Sequence, residues 1–278
     1  MSPEPGPGRI ALLGGGRMGE ALLGGWLAAG FRADGLAVVE VVSARRDELV
    51  ARFPGVAVVA TPADLGPAPG AGPEVVVVAV KPHQVADALG AAQPGADALV
   101  VSIAAGVRIA TLEAAAPGRP VVRAMPNTPA LVGRGVTAIA PGSHAGPAHL
   151  DLAERLLGAV GTVVRTGEGA LDAVTGLSGS GPAYVFLLVE ALVEAGVAEG
   201  LPRDLATTLA VGTLVGSAAL LDDGAAGERP APAALREAVT SPGGTTAAGL
   251  RALEDRAFRA AIAAAVEAAT RRSRELGG

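Results

Sequence analysis

The stretch Val239-Thr-Ser-Pro-Gly-Gly-Thr-Thr-Ala-Ala-Gly-Leu250 gathers the residues best suited to holding a small molecule. Ser-Pro-Gly-Gly stops a helix or holds a tight turn, and Thr-Thr-Ala-Ala reads as the start of the next helix. Two residues without side chains let backbone N–H groups face outward. Ser241, Gly243, Gly244, Thr245 and Thr246 thus make a candidate site for a small anion such as a carboxylate, held on a helix N-terminus. The competing reading is a plain corner between two helices.

A second candidate lies near the other end. Gly14-Gly-Gly-Arg-Met-Gly19 satisfies G-x-G-x-x-G. Glycine is 40 of 278 residues, so about one such match is expected by chance. Its context is more telling: it follows a predicted strand and opens a helix, where a dinucleotide pyrophosphate rests on helix N–H groups. Ser43-Ala-Arg45-Arg46 ends the next predicted strand. A hydroxyl and an arginine there suit a ribose 2′-phosphate, which points to NADPH, with NADH also admissible. Glu40 is the rival acid for a ribose diol, but Val41-Val42 read as a continuation of the strand beyond it, which places Glu40 too early. Lys81, the one lysine, stands in Ala79-Val80-Lys81-Pro82 just past a buried strand, the edge at which α/β sheets bind ligands. His83, His144 and His149 read as surface residues, and no metal-ligand spacing appears.

The elements that must position these residues fall into two kinds. Apolar runs at Ile10–Leu13, Leu36–Val42, Val56–Val59, Glu74–Val80, Leu99–Ile103 and Val121–Met125 read as strands. Helical patterns lie between them, at 18–29 and 46–52 among others. Continuous apolar strands separated by helices imply a parallel sheet covered on both faces. Beyond 167 the periodicity is helical: 183–199, 203–221, 232–239 and one long helix over 245–275. The expected organisation is a disordered lead at 1–8, a dinucleotide-binding α/β Rossmann domain at 9–167, and an all-α domain at 168–278. Gly66–Pro73 reads as a loop within the first domain.

Composition narrows the classes. Half of the residues are hydrophobic and 18% charged, with a net charge of −5 and 2% aromatics. The chain is globular, and it lacks the basic field and stacking surfaces that nucleic acid needs. Cysteine is absent, which excludes disulfides and thiolate catalysis and fits a reducing, cytoplasmic setting. Residues 1–8 lack the pattern of a signal peptide. Leu205–Leu221 is uncharged but short for a membrane span and carries Thr207, Thr208, Thr213 and Ser217. It reads as a helix buried on all sides, at a subunit interface. Arg271-Arg272-Ser273-Arg274 reads as a solvated last helical turn.

Taken together, the chain resembles the pyrroline-5-carboxylate reductase family. The resemblance rests on Gly14–Gly19, Ala79–Pro82, Ser102-Ile-Ala-Ala-Gly106, Arg123-Ala-Met-Pro-Asn-Thr-Pro129, Gly176-Leu-Ser-Gly-Ser-Gly-Pro-Ala-Tyr184 and Thr240-Ser-Pro-Gly-Gly-Thr-Thr246. It implies a Rossmann domain and a helical domain that interlocks with a second subunit, as a homodimer or a ring of dimers, with active sites built between the domains. It implies roles as well. Leu13, Gly14, Gly15, Gly16, Arg17 and Met18 would wrap the pyrophosphate, and Ser43 with Arg45 would meet the 2′-phosphate. Ala79, Val80, Lys81 and Pro82 with Ala104 and Ala105 would line ribose and nicotinamide. Glu168, Ser241, Gly243, Gly244, Thr245 and Thr246 would meet the substrate. Ala44 and Ala238 stand where many or some relatives carry polar cofactor contacts.

The reaction this implies is hydride transfer to the imine carbon of 1-pyrroline-5-carboxylate, giving L-proline, the last step of proline biosynthesis. It needs no strong acid, nucleophile or metal, only a substrate fixed against the nicotinamide. Thr246 is the catalytic candidate, its hydroxyl on the ring nitrogen. The alternatives are a related NADP-linked dehydrogenase or imine reductase acting on another small carboxylate, and a non-catalytic dinucleotide sensor. A 3-hydroxyacid dehydrogenase would need a lysine in the helical domain, and none follows position 81.

Overall fold

The computed structural model describes residues 9–65, 73–223 and 229–277. The predicted lead at 1–8 and most of the Gly66–Pro73 loop lie outside them. The strands are β1 (Ile10–Leu13), β2 (Leu36–Val39), β3 (Ala57–Val59), β4 (Val75–Val78), β5 (Leu99–Ser102), β6 (Val121–Met125), β7 (Gly135–Pro141) and β8 (Gly161–Arg165). They form one sheet in the order β3-β2-β1-β4-β5-β6-β7-β8. The chain reverses its direction of travel at β1, whose neighbours are β2 and β4. That switch point opens a crevice at the carboxyl ends of β1 and β4.

Strand alternation accounts for two cores. Ile10, Leu12, Val75, Val77, Leu99 and Val101 enter one apolar cluster, while Leu13, Val76, Val78 and Val100 enter the other. A sheet buried on both faces is what unbroken valine runs require. The first face is covered by α1 (Arg17–Ala28) and α5 (Pro147–Gly158), where Trp26 is fully buried and its indole N–H donates to the Leu156 carbonyl at 2.9 Å. The second is covered by α3 (Val85–Ala92) and α4 (Ile109–Ala115). Between them in sequence, α2 (Ser43–Arg52) follows β2.

The sheet departs from expectation at three places. β7 runs antiparallel to β6, and β8 then parallels β7. Neither was predicted, since β7 is bracketed by glycine and proline and β8 opens on glycine, as turns do. β2 stops at Val39 rather than Val42. Val41 and Val42 are 76% and 56% exposed and lead into α2, so their β-branched side chains mark no buried strand.

The remaining helices are α6 (Leu171–Val174), α7 (Gly181–Ala198), α8 (Arg203–Asp222), α9 (Pro232–Ala238), α10 (Thr245–Asp255) and α11 (Phe258–Leu276). A π-helical turn, Thr175–Gly179, links α6 to α7. The single helix expected over 245–275 is two, parted by Ala257 in the left-handed region at φ +56. No glycine or proline announces that break.

Two compact units result. One contains the described residues up to Ser180 together with those from Glu267 onward; the other is Gly181–Val266. In the second, α7 and α8 pack as a hairpin around Val193, Ala206 and Ala210. Gly196 makes the close approach, because a Cβ there would stand 3.2 Å from that of Ala206. Much of the pair is uncovered: Phe186 and Leu187 are 68% and 65% exposed. The segments Glu168–Ala198 and Arg203–Asp222 are long and apolar enough to cross a membrane by length and composition alone, with little of either apolar stretch buried in one copy. The burial expected for 205–221 thus stops at Ala206 and Ala210 within the single chain.

Candidate active site

The glycine loop takes its shape from two of its three fixed glycines. Gly14 has φ +103, and a Cβ there would lie 2.7 Å from the Ala79 carbonyl oxygen. Only glycine tolerates both constraints. A Cβ on Gly19 would overlap the Gly14 carbonyl oxygen, so this glycine lets α1 pack onto the loop. Gly16 is different: it meets nothing within 4 Å. It is exposed and forms the N-cap of α1 without a side-chain cap, which leaves first-turn N–H groups free to face an anion. Tight turn, open approach and close helix packing are the three tasks of a dinucleotide fingerprint. The loop therefore fits a pyrophosphate.

The other cofactor candidates share that edge. The Ala79 N–H donates to the Leu13 carbonyl at 2.8 Å, which ties the end of β4 to the glycine loop. Val80 is half-buried, and Lys81 and Pro82 are exposed beyond it. Ala104 is buried after β5, its N–H 3.3 Å from the Ser102 hydroxyl, and Ala105 is exposed.

The loop after β2 is less as expected. Ser43 is exposed at the first turn of α2. Arg45 is heavily engaged: its Nε donates to the Gly15 carbonyl at 2.8 Å, and its guanidinium pairs with Glu20 and, at 2.7 Å, with Glu48. Arg45 thus braces the glycine loop. The Arg45 hydrogen bond holds the Glu20 carboxyl below its ordinary range, with the positive charges of Arg45 and Arg52 adding to it against a burial cost. Glu40, set aside on the longer strand, instead follows the last residue of β2 directly and reaches the glycine loop: its Oε2 accepts the Gly15 N–H at 2.9 Å. The misleading signal was the β-branched pair Val41-Val42, which the structure leaves exposed.

Glu168 is bound to protein groups. Its Oε1 accepts the Ile109 N–H at the start of α4 and the buried Arg123 guanidinium of β6. Arg123 heads the Arg-Ala-Met-Pro-Asn segment, where Asn127 donates to the Ser178 carbonyl in the π-turn and accepts from the Val136 N–H.

In the second unit the predicted corner forms as its residues dictate. Gly243 has φ +71, and a Cβ on Gly244 would collide with the Ser241 hydroxyl. The Gly244 N–H donates to the Ser241 carbonyl at 3.1 Å and closes the turn. α10 begins at Thr245 with Gly244 as N-cap and no side-chain cap. Ser241, Thr245 and Thr246 are exposed. Uncapped N–H groups beside three hydroxyls suit a carboxylate.

The fold and the glycine loop define a dinucleotide-dependent oxidoreductase with a helical C-terminal region. Residues 168–276 match the family model described as pyrroline-5-carboxylate reductase dimerisation, and residues 9–106 match that of coenzyme F420-dependent NADP oxidoreductases. A pyrroline-5-carboxylate reductase from Mycobacterium tuberculosis is 47% identical, covering 98% of this chain and 97% of its own length. The pyrroline-5-carboxylate reductase structure from Coxiella burnetii superposes with a TM-score of 0.87 at 32% identity, over 98% of this chain and 99% of the other. That of Plasmodium falciparum pyrroline carboxylate reductase, which has NADP bound, gives 0.81 at 28% identity over 97% and 98%. The chain belongs to the pyrroline-5-carboxylate reductase family.

Proposed function

We propose that the protein reduces 1-pyrroline-5-carboxylate to L-proline with NAD(P)H, the final step of proline biosynthesis. The observation that carries the reading is the Ser241–Thr246 corner, an uncapped helix N-terminus flanked by hydroxyls, in a chain so similar to known reductases. NAD(P)H supplies the hydride, from nicotinamide C4 to the imine carbon. The Gly14–Gly19 loop holds its pyrophosphate, Ser43 and Arg45 border the adenosine ribose, and Ala79–Pro82 with Ala104 and Ala105 line the remainder.

The chain's own chemistry is positional. The α10 N–H groups of Thr245 and Thr246 hold the substrate carboxylate through charge-assisted hydrogen bonds. The Thr246 hydroxyl meets the ring nitrogen, which carries the proton as the C=N bond becomes CH–NH. Fixing the imine in one orientation lowers the barrier without a strong acid or metal. Glu168 orders the segment leading to the substrate domain. The helical region pairs two copies as a homodimer, with rings of dimers as a further assembly, in the cytoplasm and away from membranes and nucleic acid.

The test follows absorbance at 340 nm with 1-pyrroline-5-carboxylate, with NADPH and NADH in parallel. A substrate-dependent fall with proline as product is expected. Tight dinucleotide binding without any fall would identify a sensor and overturn the reading.

A further inference from the structure

Glu40 joins two loops at the edge where the cofactor ribose belongs. Its Oε2 accepts the Gly15 N–H of the loop after β1, and its Oε1 accepts the Val42 N–H of the loop after β2, both at 2.9 Å. Its own N–H donates to the Val59 carbonyl at 2.9 Å, so backbone and side chain are both anchored. A dinucleotide whose pyrophosphate lies on the glycine loop brings its adenosine ribose to the end of β2. We infer that Glu40 accepts the ribose 2′-hydroxyl and makes this chain a binder of NADH; the inference rests on the dinucleotide reading above.

The chemistry favours a diol over a phosphate. An ionised carboxylate only accepts hydrogen bonds, and a ribose hydroxyl can donate one. A 2′-phosphate brings acceptors and like charge instead. The nearest donors that could offset this are largely committed to protein groups. The Val42 N–H is on Glu40 itself. Arg45 is on Gly15, Glu20 and Glu48. Arg46 Nη1 donates to the carbonyls of Glu40 and Val41, each at 2.9 Å. Ser43 keeps an exposed hydroxyl, which is a weaker counterpart to a phosphate than a guanidinium.

The experiment is isothermal calorimetry of NADH and NADPH on the wild-type protein and on Glu40→Gln. The substitution keeps the shape and an oxygen acceptor for Gly15 but removes the charge. The substitution also costs Val42 its acceptor, so a modest fall in melting temperature with cooperative unfolding retained is expected, together with a fall of tenfold or more in the ratio Kd(NADPH)/Kd(NADH). A change of less than threefold in a folded variant overturns the role of Glu40 and leaves the dinucleotide reading standing. Failure of the wild type to bind either dinucleotide overturns both. ADP-ribose and its 2′-phosphorylated form, titrated into the wild type, give an independent measure without any substitution. Tighter binding of the unphosphorylated form is expected, and at least tenfold tighter binding of the phosphorylated form would refute the inference.

Discussion

Glu168 and Arg123, 45 residues apart, are joined at 3.0 Å, and the same carboxylate oxygen takes the Ile109 N–H at 2.7 Å. Arg123 is only 4% exposed, and the Glu168 carboxylate is its counter-charge. Glu168→Gln should lower the unfolding free energy by about 1–3 kcal/mol, because a buried cation loses its counter-charge. Urea unfolding measures this. Steady-state kinetics in the same variant separate a second role: an unchanged KM for the imine marks Glu168 as a brace, and a tenfold rise with unchanged stability puts it on the substrate.

Gly16 offers the cleanest separation of fold from binding. Its φ of −65 suits any residue, and an added Cβ meets only open space. Gly16→Ala should therefore melt as wild type does. The methyl group stands where the pyrophosphate must approach, so Kd for NADH and NADPH should rise together by tenfold or more. Binding at wild-type strength would move the cofactor off this loop.

Thr246→Val keeps the shape of the side chain and removes its hydroxyl. A loss of about 10- to 1000-fold in kcat/KM, roughly 1.4–4 kcal/mol, is expected with the fold intact. Kinetics within twofold of wild type would remove the hydroxyl from the mechanism.

Glu20 predicts an acid limb in stability. Its carboxyl is held below the ordinary 4.5, chiefly by the Arg45 hydrogen bond. The contribution is fully present above the unfolded pKa and is lost as pH falls from there through the lower folded value. Arg45→Met removes the main cause. Its melting temperature should be lower than wild type near neutrality, and the gap should narrow below about pH 4.5. A gap independent of pH would show that Arg45 stabilises by packing alone.

The end of α11 is held by an interior polar bond. Ser273 donates to Asp172 at 2.7 Å, both are buried, and Arg108 bonds the Gly277 carbonyl at 3.1 Å. Gly106, at φ +77, sits against Leu276. Ser273→Ala takes the hydroxyl donor from the buried Asp172 carboxylate and leaves it the Arg108 guanidinium at 3.9 Å, so a loss of about 1–3 kcal/mol is expected. Hydrogen exchange should quicken at Leu276 and Gly277 and in the loop around Gly106. Exchange confined to the helix tip would mean that the loop keeps its shape unaided.

The sequence made the site legible where glycine does geometric work. Gly14, Gly19, Gly243 and Gly244 each occupy positions where a Cβ is excluded or strained, and such positions leave a mark in the chain itself. Buried valine runs made β4 and β6 equally plain. The failures have other causes. Ala257 adopts φ +56 with nothing in its type to signal it. Val41 and Val42 carried strand propensity into an exposed turn, which displaced Glu40 from consideration. Ser273 was read with its arginine neighbours as solvated, although one face of that turn points inward. Long-range pairing decided Glu40 and Ser273, and such pairing is invisible to local pattern.

Val193, Ala206 and Ala210 are a small core for two helices of 18 and 20 residues. Ordering so much backbone costs about 1–2 kcal/mol per residue before helical and packing contacts offset it, and one copy supplies little apolar burial here. With a second copy supplying the rest, folding of this unit becomes a bimolecular event. Its midpoint of unfolding then shifts with protein concentration, and dilution alone acts on it as a denaturant.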